Sequence, residues 1–185
     1  MGENRVRGME VLMRRALSVV VLLIAVVALS ATPAEAGRWW FGGGMGLSFG
    51  GDVKYLAVEP MAGYRVTKNT TLGAGLIYRE REDERVEPTF RTSDYGGSVF
   101  VRYHVIPRMF MQGEYEYLSY ESWTYSGSTE RDEFGSVLGG LGYSQPIGPR
   151  SGFFASALYN FSYDSDERSP YDSPWVVRFG IGVSF

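Results

Sequence analysis

Cysteine is absent from the 185-residue chain, and histidine occurs once, at His104. The first absence excludes disulfides, thiolate metal sites and a lipidated N-terminal cysteine. The second leaves few candidates for catalysis and too few ligands for an ordinary zinc site. Past residue 36 no apolar run is long enough for a transmembrane helix, so any crossing of a membrane needs strands. Charge of one sign is also scarce. The formal net charge is −3, which gives no ground for a nucleic-acid partner. The glycine-rich pieces Gly42-Gly43-Gly44-Met45-Gly46 and Gly139-Gly140-Leu141-Gly142 complete neither a dinucleotide nor a Walker pattern, and neither leads into a helix. Glycines there are expected to relieve crowding inside a narrow structure.

What is present begins with a basic segment carrying Arg5, Arg7, Arg14 and Arg15, then an uncharged run to Ala34, then Ala34-Glu35-Ala36. These are the three parts of a secretory signal peptide, with cleavage expected after Ala36; the rival reading is an uncleaved inner-membrane anchor, since the uncharged run approaches the length of a helical span. Removing it takes away four arginines and three glutamates, leaving 14 basic against 18 acidic residues and a formal charge of −4. Residues 37–185 then make one domain.

Along that domain the dominant signal is alternation with a period of two. It is clearest at the end of the chain. Trp175, Val177, Phe179, Ile181, Val183 and Phe185 share one face, and Val176, Arg178, Gly180, Gly182 and Ser184 share the other. The length suits one bilayer crossing by a tilted strand. The same pattern predicts strands near 39–49, 54–66, 71–81, 95–105, 109–121, 134–143, 151–163 and 175–185, with a bulge near Pro60 because proline cannot donate to a ladder. An even count allows the first and last strands to meet antiparallel and close the sheet.

The connections after the second, fourth and sixth strands are short, and they share one end, carrying Lys68, Arg108 and Arg150 without an acid. The charged stretches 80–94, 121–133 and 164–173, each with three more acids than bases, are expected to be solvated loops at the other end. The richer apolar face lies opposite Glu, Arg and Gly. That is the inverse of a lipocalin-like barrel, which keeps its apolar residues inside.

Alternating faces, hairpins and the terminal aromatic together resemble the small eight-stranded outer-membrane barrels of the OmpA transmembrane domain, OmpX and opacity-protein type. The resemblance implies an all-β, eight-stranded antiparallel transmembrane barrel in a Gram-negative outer membrane, preceded by a cleaved signal peptide. It also implies that Phe179, Ile181, Val183 and Phe185 form the signal read by the barrel-assembly machinery. Outer-membrane lipids and lipopolysaccharide would be its surroundings. No cofactor is implied.

Seven inward charges, Glu59, Arg65, Arg79, Arg102, Glu114, Glu116 and Arg178, mix signs on the inner face. An eight-stranded barrel is just wide enough for side chains to fill, so these are expected to form an ion network that plugs the lumen; the alternative is a narrow porin-like path. A lipid-modifying hydrolase would need a partner for His104, and none is evident. The outer loops, with Trp123, Tyr125 and Tyr171 beside their carboxylates, are read as a surface for an extracellular ligand, the alternative being plain solvation of charged loops.

Overall fold

The period-two segments form eight strands in the computed structural model: β1 Trp39–Ser48, β2 Val53–Arg65, β3 Thr70–Asp83, β4 Phe90–Ile106, β5 Met109–Trp123, β6 Thr129–Pro146, β7 Ser151–Asn160 and β8 Trp175–Ser184. The structure describes residues 39–48, 53–83, 90–123, 129–164, 170–171 and 173–184. The expected signal peptide, Tyr125 and Phe185 lie outside these residues. Each strand pairs antiparallel with its neighbour in sequence, and β1 pairs antiparallel with β8 to close the barrel.

The outward faces are apolar. Leu76, Val99, Leu141, Phe179 and Ile181 are all exposed, Leu76 at 68% and Ile181 at 65%. In water such a belt would be a severe liability; against hydrocarbon it is the required surface. Aromatic rings border it at both ends. Tyr78 stands opposite Tyr95 and Tyr159 opposite Trp175 at one end, while Trp39 stands opposite Tyr64 at the other, the end to which Tyr103 of β4 and Tyr143 of β6 also belong. From Tyr95 to Tyr103 along β4 the chain covers about 27 Å at ~3.4 Å per residue, or about 21 Å along the membrane normal after a tilt of ~40°.

Three expectations change. Pro60 needs no bulge: β2 and β3 keep one register on both sides, and pairing is simply interrupted between Val58↔Tyr78 and Met61↔Gly75. Skipping two positions satisfies a residue without an N–H at less cost than inserting an extra one. The register shift falls instead between His104 and Ile106, at the tight turn from β4 to β5. Secondly, stretches 80–94 and 121–133 are largely strand, because β3 runs to Asp83, β4 starts at Phe90, β5 runs to Trp123 and β6 starts at Thr129. These hairpins continue past the aromatic border, with Asp83 opposite Phe90 and Trp123 opposite Thr129. Thirdly, β7 stops at Asn160 rather than Tyr163. The chain turns there, Phe161 N–H donating to the Val137 carbonyl and Val137 N–H to Ser162 Oγ (3.0 Å).

The short turns are built locally. In the β2–β3 turn, Thr67 Oγ1 accepts from the backbone N–H of Thr70 at 2.9 Å and of Asn69 at 3.2 Å, a hydroxyl replacing a backbone turn acceptor.

Candidate functional site

The barrel encloses two stacked tiers of side chains. The tier toward the long hairpins is ionic and centres on Arg178 of β8. Its Nη1 donates to both oxygens of Glu114 at 2.7 Å, and its Nη2 donates to Glu116 Oε2 at 2.8 Å. Its Nε lies 3.0 Å from Glu59 Oε2. That last contact is close in distance but not aligned as a hydrogen bond, since Nε finds no acceptor; we read it as an ion pair. All four groups are buried.

Arg79 of β3 reaches the same cluster. Its Nη2 donates to Tyr171 Oη at 3.1 Å and lies 3.5 Å from Glu116 Oε1, and Tyr171 in turn donates to Glu116. Nε and Nη1 of Arg79 have no acceptor. The guanidinium instead lies over the rings of Tyr55 and Tyr171, at 4.3 and 4.7 Å from their centroids, where the ring faces offset part of its charge. Above them Arg81 Nε donates to Asp94 Oδ2 at 3.0 Å, also buried.

The second tier is aromatic. Met61, Phe100, Phe110 and Phe154 form a buried cluster with Trp40 packed against it. Glycines on the facing strands make room: a Cβ on Gly182 would collide with the Trp40 indole, and one on Gly142 with the Phe110 ring. Arg102 sits among these rings, 4.2 Å from the Phe110 centroid and 4.8 Å from that of Phe154. Its Nε and Nη2 both donate to Gln112 Oε1, at 3.1 and 2.9 Å, and Gln112 Nε2 donates to Glu114 Oε2 at 2.8 Å. Gln112 thus links the tiers. Arg79, Arg102 and Arg178 balance Glu59, Glu114 and Glu116, three charges against three, as a low-dielectric interior requires.

Six of the seven inward charges read from the sequence therefore meet in one buried set. Arg65 does not. It is exposed at the short-turn end of the barrel, on the same face but beyond the tiers. Missing from the sequence reading were Gln112, Tyr55, and the pair Arg81 and Asp94. A signal for Arg81 was present, since Arg79-Glu80-Arg81-Glu82 continues the alternation with arginine inside. Tyr171 is a correction: expected at the outer surface, it is only 2% exposed and packs within the barrel mouth against Tyr55 and Phe134. Its hydroxyl meets Arg79 and Glu116 there, a gain no surface position offers.

His104 is half-buried against Phe110 near the short-turn end. No hydrogen bond joins its ring to a serine among the described residues. Phe179, Ile181 and Val183 lie on the outward face of β8.

A closed eight-stranded barrel with its apolar face outward, aromatic borders and an ionic lumen has one known type of environment. The fold is that of a small outer-membrane β-barrel. Solved structures agree. The N-terminal β-barrel domain of Pseudomonas aeruginosa OprF matches over 81% of this chain and all of that one, at 13% identity and a TM-score of 0.52. The Yersinia pestis outer membrane protein Ail in a phospholipid bilayer nanodisc matches over the same shares, at 14% identity and 0.52. No family model and no curated protein matches the sequence. With this fold the apolar belt lies in the bacterial outer membrane, with the short turns at one end of the barrel and the long hairpins at the other.

Proposed function

We infer that this outer-membrane barrel is a non-enzymatic surface protein whose lumen is a structural plug and whose outer hairpins are its contact surface. The observation that carries the reading is the continuation of β3 through β6 as paired strand beyond the tyrosine border. Paired strands hold a charged surface in fixed geometry outside the membrane, which free loops would not. Arg131 shows the arrangement: Nη2 donates to Glu121 Oε1 at 2.7 Å while the guanidinium stacks 4.4 Å from the Tyr95 ring. Glu80, Glu130 and Glu133 are exposed on the same projection. Carboxylates gathered at one rim repel one another, and divalent cations shared with lipopolysaccharide phosphates, or a basic partner, would relieve that repulsion.

The two tiers support a closed lumen over the porin-like alternative, because ions and rings together fill the bore that an eight-stranded barrel leaves. His104, at the periplasmic end and without a serine partner among the described residues, supplies no support for a lipid hydrolase.

The test shortens the two hairpins, joining Glu80 to Ser93 and Ser119 to Glu133 by tight turns, with Asp94→Asn so that no buried carboxylate is left without Arg81. The trimmed barrel is expected to insert and keep its heat-modifiable gel mobility. Cells carrying it should lose binding to lipopolysaccharide-coated and host-cell surfaces that the full-length protein supports, and the difference should depend on magnesium or calcium. Unchanged binding by a correctly inserted trimmed barrel would show that the hairpins carry no such function.

A further inference from the structure

At the periplasmic end the barrel is not filled. A cavity of about 580 Å³ opens there below the aromatic tier, with Arg65, Lys68, Arg102 and Arg150 among its lining residues and no aspartate or glutamate. The four cations come from different parts of the chain: β2, the β2–β3 turn, β4 and the β6–β7 turn. None of them makes an ion pair among the described residues. Three are exposed at the rim, whereas Arg102 forms part of the floor and is 7% exposed. Arg102 is held rigidly by Gln112 at Nε and Nη2, and no described residue accepts from its Nη1.

Three exposed cations around one mouth, with no acid among the described lining residues, are unfavourable for the barrel alone, because like charges around one concavity raise the potential inside it. The same potential attracts an anion. A volume of this size admits a small ligand, and arginine presents its planar donors in the geometry that a phosphate oxygen pair accepts. The walls are low in dielectric, since Trp40, Phe153 and Phe154 line them, so attraction there is screened less than on an open surface. The exposed ring of Arg65, Lys68 and Arg150 would draw the anion in, and the buried Arg102 would meet it at the floor.

We propose that the periplasmic mouth of this barrel is a binding site for a phosphate-class oxyanion, held between Arg102 at the floor and Arg65, Lys68 and Arg150 at the rim. Two sources share that chemistry: free phosphate in the periplasm and the headgroup of an anionic phospholipid in the inner leaflet. The site is independent of the outer hairpins, so their failure as a contact surface would leave it standing.

The test titrates inorganic phosphate by calorimetry into the full-length barrel in maltoside micelles, with chloride matching the ionic strength. Saturable binding near one phosphate per barrel is expected. The Arg65→Gln/Arg150→Gln variant changes two exposed rim residues, and its unboiled gel mobility verifies folding; its affinity should fall at least about tenfold, as loss of charge-assisted bonds implies. The hairpin-trimmed barrel should bind phosphate with wild-type affinity. A second arm repeats the titration in phosphatidylcholine nanodiscs with and without phosphatidylglycerol. Suppression of the phosphate signal by phosphatidylglycerol assigns the site to the lipid headgroup, and retention assigns it to the free ion. No saturable binding in maltoside, or equal affinity in the folded double variant, would overturn the proposal.

Discussion

Arg178→Met removes the side chain that ties β8 to β2 and β5 by ion pairs across the lumen. The side chain donates three hydrogen bonds to Glu114 and Glu116 and pairs with Glu59. Summing those bonds at ~1.5–3 kcal/mol each would overstate the loss, since Gln112 still serves Glu114 and Tyr171 still serves Glu116. The better guide is the cost of breaking a buried ion pair by deleting one partner, about 3–5 kcal/mol. Two cations would then face three buried carboxylates. Arg178→Met/Glu59→Gln restores the balance, because Arg178 is the cation closest to Glu59, and it should recover at least half of the loss. Denaturant unfolding in phospholipid vesicles, followed by tryptophan emission and by the mobility of unboiled samples, measures both. In a planar bilayer the wild type should pass little steady current and Arg178→Met more, as water enters to solvate the unpaired acids. A loss below about 1 kcal/mol for Arg178→Met would refute the assignment of Arg178 as the keystone of the tier. A double variant as unstable as the single would show that charge balance is not the cause. Large stable currents through the wild type would refute the plug itself.

Tyr171→Phe keeps the ring on Tyr55 and Arg79 but deletes the hydroxyl between Arg79 and Glu116; it should cost about 1–3 kcal/mol in the same unfolding experiment, and a neutral result would return Tyr171 to the surface role. Ile181→Arg places a charge on the lipid face and should cost about 2–4 kcal/mol if the site is near the midplane. Together with removal of Phe185 it should lower the fraction inserted in the outer membrane, and wild-type levels of both variants would mean that the outward face of β8 has been misassigned.

The assignment of faces was legible in the sequence because it is a local property. Once Trp175 to Ser184 alternates large apolar residues with Arg178, Gly180 and Gly182, the pleat decides which side each occupies. Pairing order followed from an even number of hairpin-linked segments. The limits of the strands were less legible, since Arg79-Glu80-Arg81-Glu82 has the composition of a solvated loop while keeping the period of a strand. Its charges stay in the sheet because Arg81 has Asp94 to meet inside.

The sequence by itself determined that this chain forms strands with one apolar and one polar face, and that the polar face is the inner one. Only the tertiary structure decided which inward charges meet. Arg178 and Glu114 are 64 positions apart, and the depth at which each sits depends on strand tilt and stagger around the closed cylinder, quantities that no alternation within a single strand encodes. The same dependence on depth carries Arg65 past the tiers to the rim at the short turns, separates the ionic tier from the aromatic one, and brings Tyr171, from a segment with no period at all, into the mouth of the barrel, where burial of its ring and the hydroxyl contacts to Arg79 and Glu116 outweigh the freedom it would keep in water.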